Sequence, residues 1–211
     1  MLLTYGGETA ADADALRTGG VPLVPEGFVW PSCRECGGAM QFLAHLPLGA
    51  TVVAVFFCQN DPGTCDDWNA IAGANRAYVL SGELTPAAVP AEGETLLGAV
   101  TALRLHPAGE PTEEPVLGRL GGEPDWIQDD ETPDCPSCTA PMTFTAELEE
   151  GYDFATSANF GGGGRGYVFG HRPCPGPEFR LLPQQFVRRH HPSLPATGRR
   201  RARSPDVTRC R

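Results

Sequence analysis

The chain has 211 residues and a formal net charge of −10, and all 16 of its basic residues are arginine. Eight of these arginines lie between Arg188 and Arg211 with one acid, so residues 1–187 carry 25 acids against eight arginines, a net charge of −17. This acidic body argues against nucleic-acid binding through a broad basic face. With 26 glycines and 21 prolines, the composition favours short strands joined by turns over long helices.

The first predicted element is a short helix over Glu8–Arg17, with acids in its first turn and an arginine at its end. All the other predicted elements are strands, and the chain is expected to be mainly β. They are Gln41–Leu46, Thr51–Phe57, Ala77–Leu80, Leu97–Leu105, Val116–Leu120, Thr143–Leu148, Tyr167–Phe169 and Glu178–Leu182.

The sequence repeats itself: Gly19–Leu46 aligns without a gap to Gly121–Leu148 at an offset of 102 residues, with ten identities in 28 positions. Ordinary composition gives roughly two matches by chance over such a length. Alternation predicts one apolar face formed by Met40, Phe42, Ala44 and Leu46, and an equivalent face on the second strand. It is formed by Met142, Phe144, Ala146 and Leu148.

The repeat predicts an internally duplicated β-sheet domain with few short helices and two zinc-knuckle-type Cys/His clusters. We assign residues 1–84 to the first repeat and 116–187 to the second. Residues 85–115 form a Pro/Glu-rich connection with one strand, and residues 188–211 an Arg-rich tail that we expect to be disordered.

Each repeat carries a CxxC pair followed, after an apolar strand, by two more soft ligands. The sets are Cys33, Cys36, Cys58, Cys65 and Cys135, Cys138, His171, Cys174. Four thiolates, or three thiolates and an imidazole, are typical of closed structural zinc sites, so we predict two structural Zn²⁺ ions. A redox dithiol at Cys135-Pro-Ser-Cys138 is an alternative, but that chemistry places the motif at the start of a helix. Buried cysteines without metal are another, and Cys210 is expected to be free.

The remaining motifs predict no catalytic activity. Gly161–Gly166 formally satisfies G-x-G-x-x-G but precedes a strand instead of a helix, so a flexible hairpin turn is the better interpretation.

The longest apolar run, Val52–Cys58, is too short to span a bilayer. The first residues lack the basic start of a secretory signal. We therefore expect a protein of the cytoplasm that does not associate with membranes. Thiols stay reduced in that compartment.

These motifs also resemble a known family. Gly-Gly-x-Pro, a Trp, Cys-x2-Cys-x3-Met-x-Phe-x-Ala and Val-Phe-x-Cys are similar to the YwqG-like family of uncharacterised bacterial proteins and to the related programmed cell death protein 2 family. The matching residues are Gly19, Gly20, Pro22, Trp30, Cys33, Cys36, Phe42, Phe56 and Cys58. The resemblance implies a duplicated, mainly β fold with zinc-type ligands and no known catalytic activity. The eukaryotic relatives act as dedicated chaperones for a ribosomal protein.

The functional expectation is therefore a zinc-stabilised protein-binding module, chaperone-like toward a basic polypeptide held by charge and by strand addition to exposed sheet edges. One alternative is a nucleic-acid-binding zinc protein, which rests on the knuckles and the Arg-rich tail. An unrecognised enzyme is the other, and a deep pocket lined by converging polar groups would favour it.

Overall fold

The computed structural model of the chain describes residues 1–11, 15–150, 158–172, 174 and 178–185. Within these residues the protein is all β, with no helix and hence none long and apolar enough to cross a membrane. The twelve strands are β1 Leu2–Glu8, β2 Arg17–Thr18, β3 Leu23–Val24, β4 Gln41–Leu48, β5 Thr51–Phe57, β6 Asn75–Leu80, β7 Thr85–Pro86, β8 Thr101–His106, β9 Val116–Leu120, β10 Thr143–Glu149, β11 Arg165–His171 and β12 Glu178–Gln184.

Ten of these strands form a closed antiparallel barrel in the order β1-β8-β2-β4-β5-β6-β12-β11-β10-β9, and β9 returns to β1. β3 and β7 pair separately. β1 of the first repeat pairs with β8 and β9, and β8, from the segment between the repeats, also pairs with β2. We call β8, β2, β4, β5 and β6 the first half of the barrel, and β12, β11, β10, β9 and β1 the second half. At the opposite seam of the barrel, β6 and β12 share one registered pair among the described residues, Ala77 with Phe179. The segment predicted as a connection thus contributes β8 to the barrel wall.

Several contacts recur at the 102-residue spacing. Gly19 donates its backbone N–H to Leu43 at 2.9 Å, and Gly121 donates to Thr145 at 2.8 Å. Both glycines have positive φ, 70° and 64°, which a residue with a Cβ rarely adopts. The pairing of β2 with β4 matches that of β9 with β10 position by position. The local geometry of the halves therefore corresponds, while the duplication of the chain stays a prediction.

In the part of the chain that the structure describes, the buried side chains form a central core and two outer clusters. The central core fills the barrel and includes Val53, Val55 and Phe57 of β5. The alternate β5 residues Ala54 and Phe56 belong to the first outer cluster, which also contains three cysteines. The second outer cluster is built on Tyr167 and Phe169 of β11 and Leu182 of β12, and it contains Cys135. β5 and β11 thus each carry an apolar face on both sides, as expected of strands that are covered on both faces.

The predicted face of β4 and β10 is wrong because each strand contains a β-bulge. The register shifts between Phe42 and Ala44 in β4, and between Phe144 and Ala146 in β10. An extra residue in one strand turns the following side chains to the other face. Met40 and Phe42 therefore lie in an outer cluster, whereas Ala44 and Leu46 lie in the central core. The two strands still correspond to each other, as predicted.

The predicted helix over Glu8–Arg17 is also wrong at the positions that the structure describes. Glu8 ends β1 and pairs with Thr101, and Arg17 begins β2 between β4 and β8. Residues 12–14 lie outside the described residues. Backbone pairing with β8, distant in sequence, outweighs a helix propensity that is worth only tenths of a kcal/mol per residue. The predicted tail and Cys210 lie outside the described residues as well.

Candidate metal centres

Each CxxC pair lies in a tight knuckle held by backbone hydrogen bonds. In the first knuckle, residues 31–40, the Cys33 N–H donates to Gly38 and the Gly37 N–H donates back to Cys33. The second knuckle, residues 133–142, has the corresponding bonds from Cys135 to Ala140 and from Thr139 to Cys135. A strand follows each knuckle directly. The turn therefore places both thiols of a CxxC pair on the same side, next to the outer cluster.

The first centre combines this knuckle with the end of β5 and the loop that follows it. Its four residues are the predicted ones, Cys33, Cys36, Cys58 and Cys65, and their sulfurs all lie within 4.8 Å of one another. Cys58 Sγ lies 3.7 Å from Cys36 Sγ and 3.9 Å from Cys65 Sγ. A tetrahedral metal with bonds of about 2.3 Å to sulfur separates its ligands by about 3.8 Å. The set can thus hold one metal ion.

The second centre is built in the same way from the second knuckle and the end of β11. Cys135, Cys138, His171 and Cys174 bring their ligand atoms within 4.8 Å of one another. Cys135 Sγ lies 3.8 Å from Cys174 Sγ, and Cys138 Sγ lies 3.2 Å from His171 Nε2. His171 ends β11 much as Cys58 follows β5. Both predicted ligand sets therefore converge, one as Cys₄ and one as Cys₃His.

The thiol geometry excludes disulfides, whose sulfurs lie about 2.05 Å apart; all seven described cysteines are free. Within each centre the thiol pKa values move in opposite directions. Burial raises the pKa of Cys65, with the neighbouring thiols adding to it. Burial acts on Cys36 in the same direction, but hydrogen bonds from the Gly38 amide and the neighbouring thiols outweigh it and lower its pKa. Thiolates this close repel one another, whereas a bound cation stabilises all of them.

The two centres differ in their exposure. In the first, Cys33, Cys58 and Cys65 are buried and only Cys36 is exposed. In the second, Cys135 alone is buried, since Cys138 is exposed and Cys174 is half-buried. In the second centre a hydrogen bond with Cys138, together with burial, raises the pKa of Cys174 to about 12. Because the ligands of the second centre are more exposed, water and chelators reach it more easily than the first.

Side chains around the first centre hold its knuckle and its ligand loop in place. Asn60 donates to Cys58 Sγ at 3.6 Å and to the Ala39 carbonyl at 2.8 Å, which ties the ligand loop to the first knuckle. Trp30 donates to the Met40 carbonyl at 2.8 Å and packs edge-on against Phe56. Outer hydrogen bonds of this kind orient metal ligands.

Trp126 occupies the corresponding place at the second centre. Its ring lies 4.8 Å from that of Tyr167 and stacks on Phe169 at 5.7 Å. Each tryptophan thus packs on an aromatic ring of the strand that leads to the second pair of ligands, Trp30 on Phe56 of β5 and Trp126 on Phe169 of β11.

The barrel wall also buries Arg17 beside His45, a pair that no sequence pattern predicts. Arg17 and His45 have no exposed surface, and Arg17 donates to the Gly19 and Val21 carbonyls at 2.6 and 2.9 Å. Burial, with the charge of Arg17 adding to it, lowers the pKa of His45 to about 3. His45 is thus neutral at neutral pH. One half-barrel therefore buries an arginine against a neutral imidazole instead of a carboxylate.

Arg119 and Glu147 are the paired residues of β9 and β10 that correspond to Arg17 and His45 of β2 and β4. Glu147 is 2% exposed and lies 3.4 Å from Arg165. Burial raises the pKa of Glu147, although the nearby arginines act against it. The two halves thus share an arginine position but differ in its partner.

No family model matches the chain, and neither the curated proteins nor the solved structures contain a match. The resemblance to the YwqG-like and programmed cell death protein 2 families therefore stays a prediction. What can be said of function rests on the geometry of the site and on the charge of the chain.

Proposed function

We propose that this chain is a zinc-stabilised protein-binding module of the cytoplasm, and that its partner is a basic polypeptide. The observation that carries the proposal is the convergence of two complete ligand sets, four atoms within 4.8 Å in each. Sets of four thiolates, or of three thiolates and one imidazole, favour zinc over harder cations. Reduced thiols of this kind are typical of a cytoplasmic protein.

The number of protein ligands at each centre supports a structural role for the metal. Each offers four protein ligands, the full number that tetrahedral zinc binds in structural sites, whereas catalytic zinc keeps a position for water or substrate. Each centre also joins elements that are far apart in the chain: Cys33 and Cys65 in the first, Cys135 and Cys174 in the second. Metal binding at such a site stabilises the fold. The chain then acts through its surface.

The charge of that surface supports a basic partner. Residues 1–187 carry a net charge of −17, which attracts cationic segments and repels phosphate backbones. Attraction between exposed charges is screened over about 8 Å at physiological ionic strength. We therefore expect partner binding to weaken as salt increases.

Two measurements test this proposal. Native mass spectrometry of the freshly reduced protein should show two zinc ions per chain, and His171→Ala should retain one. An affinity pull-down from the native host should recover basic proteins, and their binding should weaken between low and high salt. A chain without bound metal, or a pull-down dominated by acidic proteins or RNA, contradicts the proposal.

A further inference from the structure

An open groove lies where the two halves of the barrel meet at the β6–β12 seam. Its volume is about 510 Å³, and its walls come from the loop after Cys65, the segment before Cys135, and β12. We call it the seam groove. Three of its lining residues are apolar and large: Ile71 is 64% exposed, Trp68 is half-buried and Leu182 is buried. Large apolar side chains left in water at a concave surface mark interaction sites.

The charged lining of the seam groove is of one sign. Asp66, Glu131 and Asp134 line it, and none of the described lining residues is basic. Glu131 accepts a hydrogen bond from Gln184 Nε2 at 2.9 Å, and Asp66 accepts one from Asn69 Nδ2 at 3.2 Å. These neutral donors orient the carboxylates without neutralising them. The groove thus combines an indole and aliphatic surface with three negative charges.

We propose that the seam groove binds an extended, arginine-containing segment of the basic partner, an inference that rests on the function proposed above. A guanidinium group fits this lining because its face stacks on an indole such as Trp68. Its edge forms paired hydrogen bonds with carboxylates such as Asp66 and Asp134. An apolar residue next to the arginine covers Ile71. Phosphate groups are disfavoured by the three carboxylates.

The two metal centres hold the walls of this groove. Asp66 directly follows the ligand Cys65, and Asp134 directly precedes the ligand Cys135. Ala70, from the loop of the first half, packs in the outer cluster of the second half beside Cys135. Each wall is therefore anchored by a different centre, and the groove takes its shape only when both halves are folded.

The test compares two triple variants of the full-length, zinc-loaded chain. The first is Asp66→Asn, Glu131→Gln and Asp134→Asn. The control is Glu110→Gln, Glu113→Gln and Glu114→Gln, which removes the same charge from three exposed residues of another loop. The probe is a fluorescent 16-residue peptide with four arginines and four leucines, and a matched peptide with glutamate in place of arginine shows the effect of charge. Zinc content and melting temperature confirm that each variant is folded.

We expect the groove variant to bind the arginine peptide about tenfold more weakly than the wild type. This factor is about 1.4 kcal/mol, or roughly 0.5 kcal/mol for each of three exposed ion pairs. The control should lose less than about threefold, the part due to net charge alone. Ile71→Ser, which keeps every carboxylate, should also weaken binding, whereas Val29→Ser, at a residue 82% exposed elsewhere, should not.

The outcomes separate this inference from the proposed function. A wild type that does not bind the arginine peptide contradicts the proposed function itself. A wild type that binds it, but loses no more affinity in the groove variant than in the control, leaves that function standing and rejects the groove as its site. Any binding of a single-stranded RNA 16-mer should be the same in the groove variant and in the control. RNA binding that weakens with the groove substitutions overturns the inference in favour of nucleic acid.

Discussion

Replacing Cys33 with serine tests whether metal binding stabilises the fold. Cys33 is 2% exposed and belongs to the first outer cluster, and its sulfur lies within 4.8 Å of the other three ligand atoms. Cys33→Ser removes one of four ligands and places a hydroxyl group in an apolar surrounding. The matched control is Cys210→Ser, because Cys210 is the one cysteine of the chain that is not among the predicted ligands.

The expected loss has two parts. Structural zinc contributes about 10–16 kcal/mol in zinc-finger peptides, so an even share for each of four ligands is about 2.5–4 kcal/mol. Burying a hydroxyl group in an apolar site costs about 1–3 kcal/mol. The sum is about 3.5–7 kcal/mol, a large part of the 5–15 kcal/mol by which proteins are usually stable. At about 2–4 °C per kcal/mol for a chain of this size, the melting temperature should fall by about 7–28 °C.

The assay is thermal and urea unfolding with a reductant present, with and without a strong chelator. In saturating zinc, Cys33→Ser should be less stable than the wild type by the full amount. With chelator, the two proteins should differ only by the cost of the buried hydroxyl. A difference between wild type and variant that stays the same in chelator refutes the reasoning, because the metal then contributes nothing.

Three further predictions concern other parts of the molecule. A chelator should remove zinc in two steps, which a metal indicator can follow. The more exposed second centre should release its zinc in the first step, so this step should be missing from His171→Ala. Acid should destabilise the protein through His45: its folded pKa of about 3 lies below its unfolded value of about 6.5, so its contribution is complete above pH 6.5 and is lost as the pH falls toward 3. Between pH 6.5 and 5.5 the wild type should lose about 1 kcal/mol more than His45→Gln in urea unfolding at saturating zinc, and parallel losses would contradict this. Truncation after Val187 removes a segment with a net charge of +7, so binding of the arginine peptide should strengthen or stay unchanged; weaker binding would count against competition by that segment.

The ligand sets could be predicted because soft ligands at CxxC spacing have few other roles in a reduced chain. Recurrence at 102 residues then paired each CxxC with its second two ligands. Val116–Leu120 and Thr51–Phe57 were also predicted with the bounds that the structure has. In these stretches the pattern is local, so the sequence alone determines it.

The errors arose where distant contacts decide the structure. No local pattern predicts the bulge at Phe42–Ala44. A bulge changes which face of the sheet the following side chains point to, but it leaves the composition of the strand unchanged. β1 was missed because Leu2–Glu8 contains Gly6 and Gly7 and alternates poorly; it is held by pairing with β8 and β9. The seam groove joins residues 66–71 to residues 131–134 and Leu182, and nothing in the sequence relates these segments.

From the position of the two centres we expect that metal bound there affects the seam groove as well as the stability of the fold. If a ligand binds only the state in which both walls of the seam groove are formed, then zinc binding and peptide binding must favour each other by the same factor. The first centre anchors the wall that carries Asp66, and the second anchors the wall that carries Asp134. The second centre is also the more exposed of the two. We therefore expect that removing metal from the second centre frees the wall that carries Asp134 while the first centre still holds the other wall, so that peptide binding in the groove is lost before the barrel unfolds.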